Sequence, residues 1–265
     1  MNTRAESQPR AFQAYCIGDA KSDTASMTGM LETHFRSAHE PERAQLLDKV
    51  VDFDRGRMGP DHLDEYLRER DDRMYLEFDS SWANYFVMDR LSALFPDALF
   101  VQLIRGCYTW VESIVNHLAT RTIPSDVQNF TDWWFQPERF PHTNNDRALK
   151  EAGMYSLECL LARWNVQALR PSNVIPAERL RILRTHELTE SFNVIAPFLG
   201  IRSELIDGAK SHWNRGSREH HILTLVDESY LEETVTRVCG ETMAQFFPEA
   251  PNVKDAFELH GRGEN

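Results

Sequence analysis

Residues 95–113 read FPDALFVQLIRGCYTWVES. Within them the nearly continuous apolar run ALFVQLI, residues 98–104, lies between a Pro96-Asp97 turn signal and Arg105-Gly106. A run of that length with such boundaries suits a central parallel strand covered on both faces. A helix over residues 108–120 follows at once. Upstream, AFQAYCI (residues 11–17) is a second strand ended by Gly18, and residues 24–36 continue as a helix with Met27, Met30, Leu31 and Phe35 on one face. Between these units the spacing predicts a charged helical region over residues 42–73, broken at Gly56, Gly59 and Pro60, then a strand at 74–78 and a helix at 82–95. Downstream, helix is expected at 147–169, strand at 180–183 (LRIL), helix at 188–199 closed by Gly200, a polar loop at 210–221, and helix at 230–247. Strands separated by helices predict an α/β three-layer sandwich with a mostly parallel central sheet and a P-loop-like anion-binding loop after the first strand. The 265 residues are expected to form one domain, with residues 1–10 expected as a flexible N-terminus and residues 121–146 as an acceptor-side loop insertion.

The composition is 42% hydrophobic and 26% charged, ordinary for a well-cored soluble protein. Asp+Glu 41 against Lys+Arg 29 gives a net charge of −12, with no basic stripe, so nucleic acid is not the expected partner. No apolar run approaches the roughly 18 residues that would span a bilayer, and the first ten residues lack the apolar core of a secretory signal, so no membrane is expected and the expected address is the cytosol. The four cysteines, Cys16, Cys107, Cys159 and Cys239, are scattered without metal-ligand spacing and read as small buried hydrophobes.

In a parallel α/β sheet, ligands bind beyond the carboxyl ends of the strands. The first such loop here is Gly18-Asp19-Ala20-Lys21-Ser22-Asp23-Thr24. Its glycine allows a sharp exit from the strand, the following helix start presents N–H groups to an anion, and Lys21 adds a full charge. Lys21 follows Gly18 too closely for a Walker A loop, and a second glycine is absent, which disfavours an ordinary ATPase or GTPase. The second loop begins at Arg105, with Ser113 two turns into the next helix; an arginine there suits bidentate phosphate binding. The plainer alternatives are a capped turn at 18–24 and an arginine paired with one of the many carboxylates.

These segments together resemble the sulfotransferase family that uses 3′-phosphoadenosine 5′-phosphosulfate (PAPS). YCIGDAKSDTASMTGML (residues 15–31) is similar to that family's G-x-x-[KR]-S-G-T-T loop, with Lys21, Ser22 and Thr24 in register. FPDALFVQLIRGCYTWVES is similar to its FPDAKFI-x-x-x-R-D-P segment and supplies Arg105 and Ser113. LRTHEL (residues 183–188) resembles LRYEDL, and HWNRGSREHH resembles the basic closing loop, nominating Arg215, Gly216, Ser217 and Arg218. The resemblance runs from about residue 12 to 218. It implies that Lys21, Ser22, Asp23, Thr24 and Ala25 hold the 5′-phosphosulfate and that Arg105 and Ser113 hold the 3′-phosphate. Asp23 stands where the family has Gly, Ala25 where it has Thr, and Gly106-Cys107 where it has Asp-Pro.

The implied reaction is in-line transfer of a sulfuryl group to an acceptor hydroxyl, releasing PAP, with Lys21 neutralising the bridging oxygen and no metal required. A general base is needed, and Glu40 and His39, just past the first helix, come first, followed by Glu77 and Asp79. His34 and His117 are further candidates, while His186, His220 and His221 read as structural or loop residues. Trp133, Trp134 and Phe135, with Phe140, could wall an aromatic acceptor pocket or simply pin a long loop. The acidic chain favours a small acceptor, neutral or cationic, such as a natural-product hydroxyl. Two other readings stay open: an ATP-dependent small-molecule kinase, and a non-catalytic nucleotide-binding relative. Oligomeric state, a homodimer included, is not legible.

Overall fold

The computed structural model describes residues 8–119, 125–210 and 222–262. Five strands form one sheet, β1 (Ala14–Cys16), β2 (Ser37–His39), β3 (Phe78–Ser80), β4 (Leu99–Ile104) and β5 (Leu180–Arg184). Their order is β2-β3-β1-β4-β5, and every pairing is parallel. The strand expected at residues 11–17 is shorter than its apolar run, and the one expected at 74–78 begins at Phe78, because a helix occupies the chain as far as Met74. β2 was not foreseen.

Side-chain alternation makes the layers. On one face, Ala14, Cys16, Phe78, Val101, Leu103 and Leu183 share a core with α1 (Thr24–Leu31) and α9 (Phe192–Leu199). On the other, Tyr15, Phe100 and Leu180 share one with α2 (Arg43–Asp54), α3 (Pro60–Met74) and α4 (Met88–Leu94). Each large side chain withdrawn from water in this way stabilises the fold by about 1.5–3 kcal/mol. Gln102 lies on that second face too, and its amide donates to the Gln167 and Ala168 carbonyls at 3.2 and 3.0 Å, tying β4 to α8 (Leu157–Val174).

A third core gathers Ile104 with α5 (Cys107–Ala119), α8, α10 (Glu228–Phe246) and α11 (Val253–Arg262). The loop insertion expected at 121–146 carries a helix, α6 (Ser125–Phe135), and the short α7 (Arg147–Glu151) follows it. The predicted helix 147–169 is interrupted, since Gly153 takes a left-handed φ of 72° and Ser156 caps a new start by accepting from the Cys159 N–H. The helix predicted at 24–36 stops at Leu31, freeing residues 37–39 to pair with β3. All four cysteines are buried and none is in a disulfide. Among the described residues no helix is long and apolar enough to cross a membrane.

Candidate active site

The chain leaves β1 towards α1 on one face of the sheet, and leaves the adjacent β4 towards α5 on the other. Neighbouring parallel strands whose connections diverge open a crevice at their carboxyl ends. Residues 18–24 and Arg105 lie there.

Gly18 is dictated by contact. A Cβ at this position would lie 2.8 Å from the Leu103 Cβ and 3.0 Å from the Leu103 carbonyl oxygen, so the loop can leave β1 only where the residue has no side chain. The Ile17 N–H donates to the Val101 carbonyl at 2.9 Å and sets this approach. Beyond it the loop coils tightly. The Ser22 N–H donates to the Asp19 carbonyl at 3.2 Å, Ser22 itself is buried, and Lys21 and Asp23 take left-handed φ values of 69° and 62°. Each such non-glycine residue stores about 1 kcal/mol or more of strain, which the surrounding contacts must hold.

The contacts come from α5 and β4. Trp110 donates its indole N–H to the Ala20 carbonyl at 2.9 Å, and the Arg105 Nη1 reaches the Lys21 carbonyl at 3.4 Å. The first bond of α1 runs from the Met27 N–H to the Asp23 carbonyl, leaving the preceding N–H groups of the first turn to face the crevice with the positive end of the helix. Ala25 sits partly exposed in that turn. Asp23 makes no side-chain cap to α1.

Arg105 is set from several directions. Its carbonyl accepts the Trp164 indole N–H at 2.9 Å, and its Nε donates to the Thr109 Oγ1 at 3.2 Å. Its Nη2 lies 2.7 Å from the His260 Nε2 of α11. Thr109, Trp110 and Ser113 are spaced to share one face of α5, so the partly exposed Ser113 belongs to the same wall. A small cleft opens here, lined by Arg105, Thr109, Thr185, His186 and His260 among others. The resemblance expects Arg105 and Ser113 together; Arg105 lines this cleft, and Ser113 lies one turn past Thr109 on α5, outside its lining. His260 and the cleft-facing position of His186 were not foreseen.

His39 ends β2, and its Nε2 is hydrogen-bonded to the Thr24 Oγ1 across 3.1 Å. Burial, helped by Arg43, lowers its pKa against the opposing pull of Glu40, so the ring is neutral and able to accept a proton at pH 7. Glu40 is 3.9 Å from that nitrogen but is held in an ion pair by Arg43. The second-rank carboxylates are elsewhere engaged. Glu77 precedes β3, at the opposite end of the sheet, and is clamped by the Arg36 guanidinium. Asp79 is buried against Arg70, which also donates to the Pro41 carbonyl at 2.9 Å. Both therefore hold the fold together rather than face the crevice. His34 is exposed past the end of α1, and His117 lies in the last turn of α5.

Asp19 carries a signal that the sequence hid. Its carboxyl Oδ2 is buried without a hydrogen-bond partner, and burial pushes the pKa up to about 7 despite bonds from the Ala20 backbone and the Gln167 side chain.

The aromatic residues of α6 divide. Trp133 donates its indole N–H to Asp54 at 2.6 Å, and Trp134 packs on Phe86 at 4.9 Å with the Arg163 guanidinium 5.1 Å above it. Phe135 turns into the core and stacks on Tyr155 at 4.4 Å. Arg215, Gly216, Ser217 and Arg218, with His220 and His221, lie outside the described residues.

No family model and no curated protein matches this chain. Among solved structures it is similar to the sulfotransferase domain of the Synechococcus PCC 7002 olefin synthase, at 15% identity and a TM-score of 0.42, over 100% of this chain and 98% of that one. At that distance the function has to be read from the site residues and not from the likeness.

Proposed function

We propose that this chain is a sulfotransferase that moves a sulfuryl group from PAPS to a hydroxyl of a small, neutral or cationic acceptor. The observation that carries the reading is the meeting of two loops: Arg105 at the end of β4 bonds the backbone of Lys21 in the strained loop after β1. Arg105, the loop that carries Lys21 and the positive end of α1 then meet at one crevice, the donor set a doubly charged nucleotide needs. The left-handed φ of Asp23 explains why the resembling loop has glycine there. Aspartate tolerates that conformation, so the backbone path and its N–H groups are kept.

Bound PAPS would supply an activated sulfuryl group on a nucleotide leaving group. The first-turn N–H groups of residues 23–25 hold its 5′ anionic groups, and Lys21 neutralises the bridging oxygen as charge develops there. Arg105 and Ser113 hold the 3′-phosphate. His39, its Nε2 held by Thr24 with Glu40 beside that nitrogen, takes the acceptor hydroxyl proton on Nδ1 as the new O–S bond forms and the old one breaks. Glu40 tunes the imidazole and, tied to Arg43, is not itself the base. Trp133 and Trp134, packed around Phe86, form the acceptor-side wall; Phe135, buried on Tyr155, supports it from behind.

Titration calorimetry with PAP, alongside a sulfate-transfer assay on an acceptor panel, tests this. The native chain should bind PAP without magnesium, and Lys21→Ala should cut transfer by about 10²-fold or more. Absence of PAP binding, or magnesium-dependent ATP binding in its place, would refute the reading.

A further inference from the structure

We propose that Asp19 is a proton-linked part of the donor site: the crevice takes the anionic end of the donor with this carboxyl as COOH, and a proton is taken up there when the donor binds to the ionised form. The inference rests on the PAPS reading and concerns a position that the resembling loop, G-x-x-[KR]-S-G-T-T, leaves open.

Asp19 is the first side chain after Gly18, and it shares one coil with the anion-binding groups. Its carbonyl accepts the Ser22 N–H at 3.2 Å, and its carboxyl accepts the Ala20 N–H. Lys21 stands within that coil at a φ of 69°, and the Arg105 Nη1 reaches the Lys21 carbonyl at 3.4 Å from just past β4. Trp110 fixes the Ala20 carbonyl at 2.9 Å. A charge on Asp19 is therefore a charge inside the turn that would wrap a phosphosulfate.

Other acids withdrawn from water in this chain are met by arginine, Glu77 by Arg36 and Asp79 by Arg70. Among the described residues no cation is paired with the Asp19 carboxyl. From α8 it takes a hydrogen bond from the Gln167 side chain, and Tyr85, on the 3₁₀ segment Trp82–Val87, lies close enough to feel its charge. Tyr85 is buried and its phenol is pushed up to about 12, so it stays neutral, and the α8 cations Arg163 and Arg170 act on that phenol. The charged side chains of the same loop are Lys21 and Asp23.

The Asp19 Oδ2 is buried with no hydrogen-bond partner. Ionisation would put negative charge on an oxygen met by neither water nor a donor, so the group keeps its proton instead, and burial raises its pKa to about 7. As COOH it adds no negative charge to the coil. As a carboxylate it opposes an incoming dianion, and by reciprocity the bound dianion opposes its ionisation. Donor binding and protonation of Asp19 are then one linked equilibrium.

Titration calorimetry with PAP tests this on the native chain and Asp19→Asn at pH 6 and pH 8, in two buffers of different ionisation enthalpy. At pH 8 the native chain should take up close to one more proton per PAP than Asp19→Asn, and at pH 6 the two should match. Native PAP affinity, relative to Asp19→Asn, should fall by about tenfold from pH 6 to pH 8 for a carboxyl of pKa about 7. The phosphates of PAP and the histidines are common to both proteins and cancel in the comparison. The native chain gives a second readout: at pH 8, added PAP should strengthen the infrared carbonyl band of a protonated carboxylic acid. Equal proton uptake by the two proteins at pH 8 would overturn the proposal and leave the donor reading standing. An unchanged infrared band would do the same even if Asp19→Asn failed to fold. No PAP binding by the native chain at either pH would overturn both.

Discussion

Replacing Asp19 by Asn should make the protein more stable above neutral pH and change it little in mild acid. The carboxyl sits in the loop after β1 with Oδ2 buried and no partner for that oxygen. Burial raises its pKa from 3.8 to about 7, the bonds from Ala20 and Gln167 offsetting only part of the cost. The sign follows from proton counts. Between about pH 4 and 7 the folded chain holds this proton and the unfolded chain has released it, so unfolding becomes easier as pH rises through that window. Above it the folded state carries an ionised, poorly solvated carboxylate. The gap between 3.8 and about 7 corresponds to roughly 4 kcal/mol. The residue keeps an outer edge at the loop surface, and solvent screening brings the expected loss to about 2–4 kcal/mol. Asn keeps the shape and the hydrogen bonds without a charge to release. Urea denaturation of both proteins at pH 5, 6, 7 and 8 isolates the effect, since every other titrating group is common to the pair. Most of that loss falls between pH 5 and 8, so the stability of Asp19→Asn relative to the native chain should grow by about 2–3 kcal/mol across that range. A difference that stays constant across those pH values would show that this carboxyl is not held protonated by the fold.

Gly18→Ala should cost about 1–3 kcal/mol in denaturant unfolding, because its Cβ would meet the Leu103 backbone and not a movable side-chain tip. PAP affinity should fall with it, and an unchanged midpoint would mean that β1 and β4 part more easily than their contact implies. His39→Asn should lower kcat by about 10²–10⁴-fold with little effect on PAP binding. In the native enzyme the rate should fall on the acid side, below the ordinary histidine pKa, and be level through neutrality, because burial lowers the His39 pKa. An unchanged acid limb in His39→Asn would assign the proton transfer to another group.

The parts of this fold that were legible in sequence are those whose signal is local. β4 is an apolar run between two turn signals, and Gly18 announces the close exit from β1. β2 was invisible because Ser-Ala-His at a sheet edge, paired only with β3, has neither length nor alternation. The strand at Phe78–Ser80 was misplaced because the apolar residues just before it belong to the end of α3 and to its left-handed cap at Tyr75. Glu77 and Asp79 attracted attention as carboxylates near a strand end, but reading the strand a few residues early reversed their position. Glu77 marks where the strand begins, and Asp79 is inside it. The most consequential omission is His260. Its contact with Arg105 spans 155 positions, and the short helix that carries it follows the last one expected from the sequence. Asn252 followed by Asp255 was the available clue to that helix.

The net charge of −12 acquires a different meaning once the chain is folded. Acidic side chains dominate overall, and many are paired with arginines well away from the crevice: Asp71 with Arg10, Asp79 with Arg70, Asp64 with Arg90, Glu158 with Arg237. Such pairing neutralises charge locally. At the β1–β4 switch point the balance is reversed. Arg105 meets the loop of Lys21 beside the first turn of α1, and the nearby Asp19 carboxyl is held neutral by burial up to about neutral pH. Asp23 remains as an acidic side chain at the start of α1, and its backbone has kept the left-handed form that glycine would adopt. An acidic protein can therefore present a local positive field to a small dianion while its surface repels polyanions. That field depends on which carboxylates are paired or protonated as much as on where the cations stand.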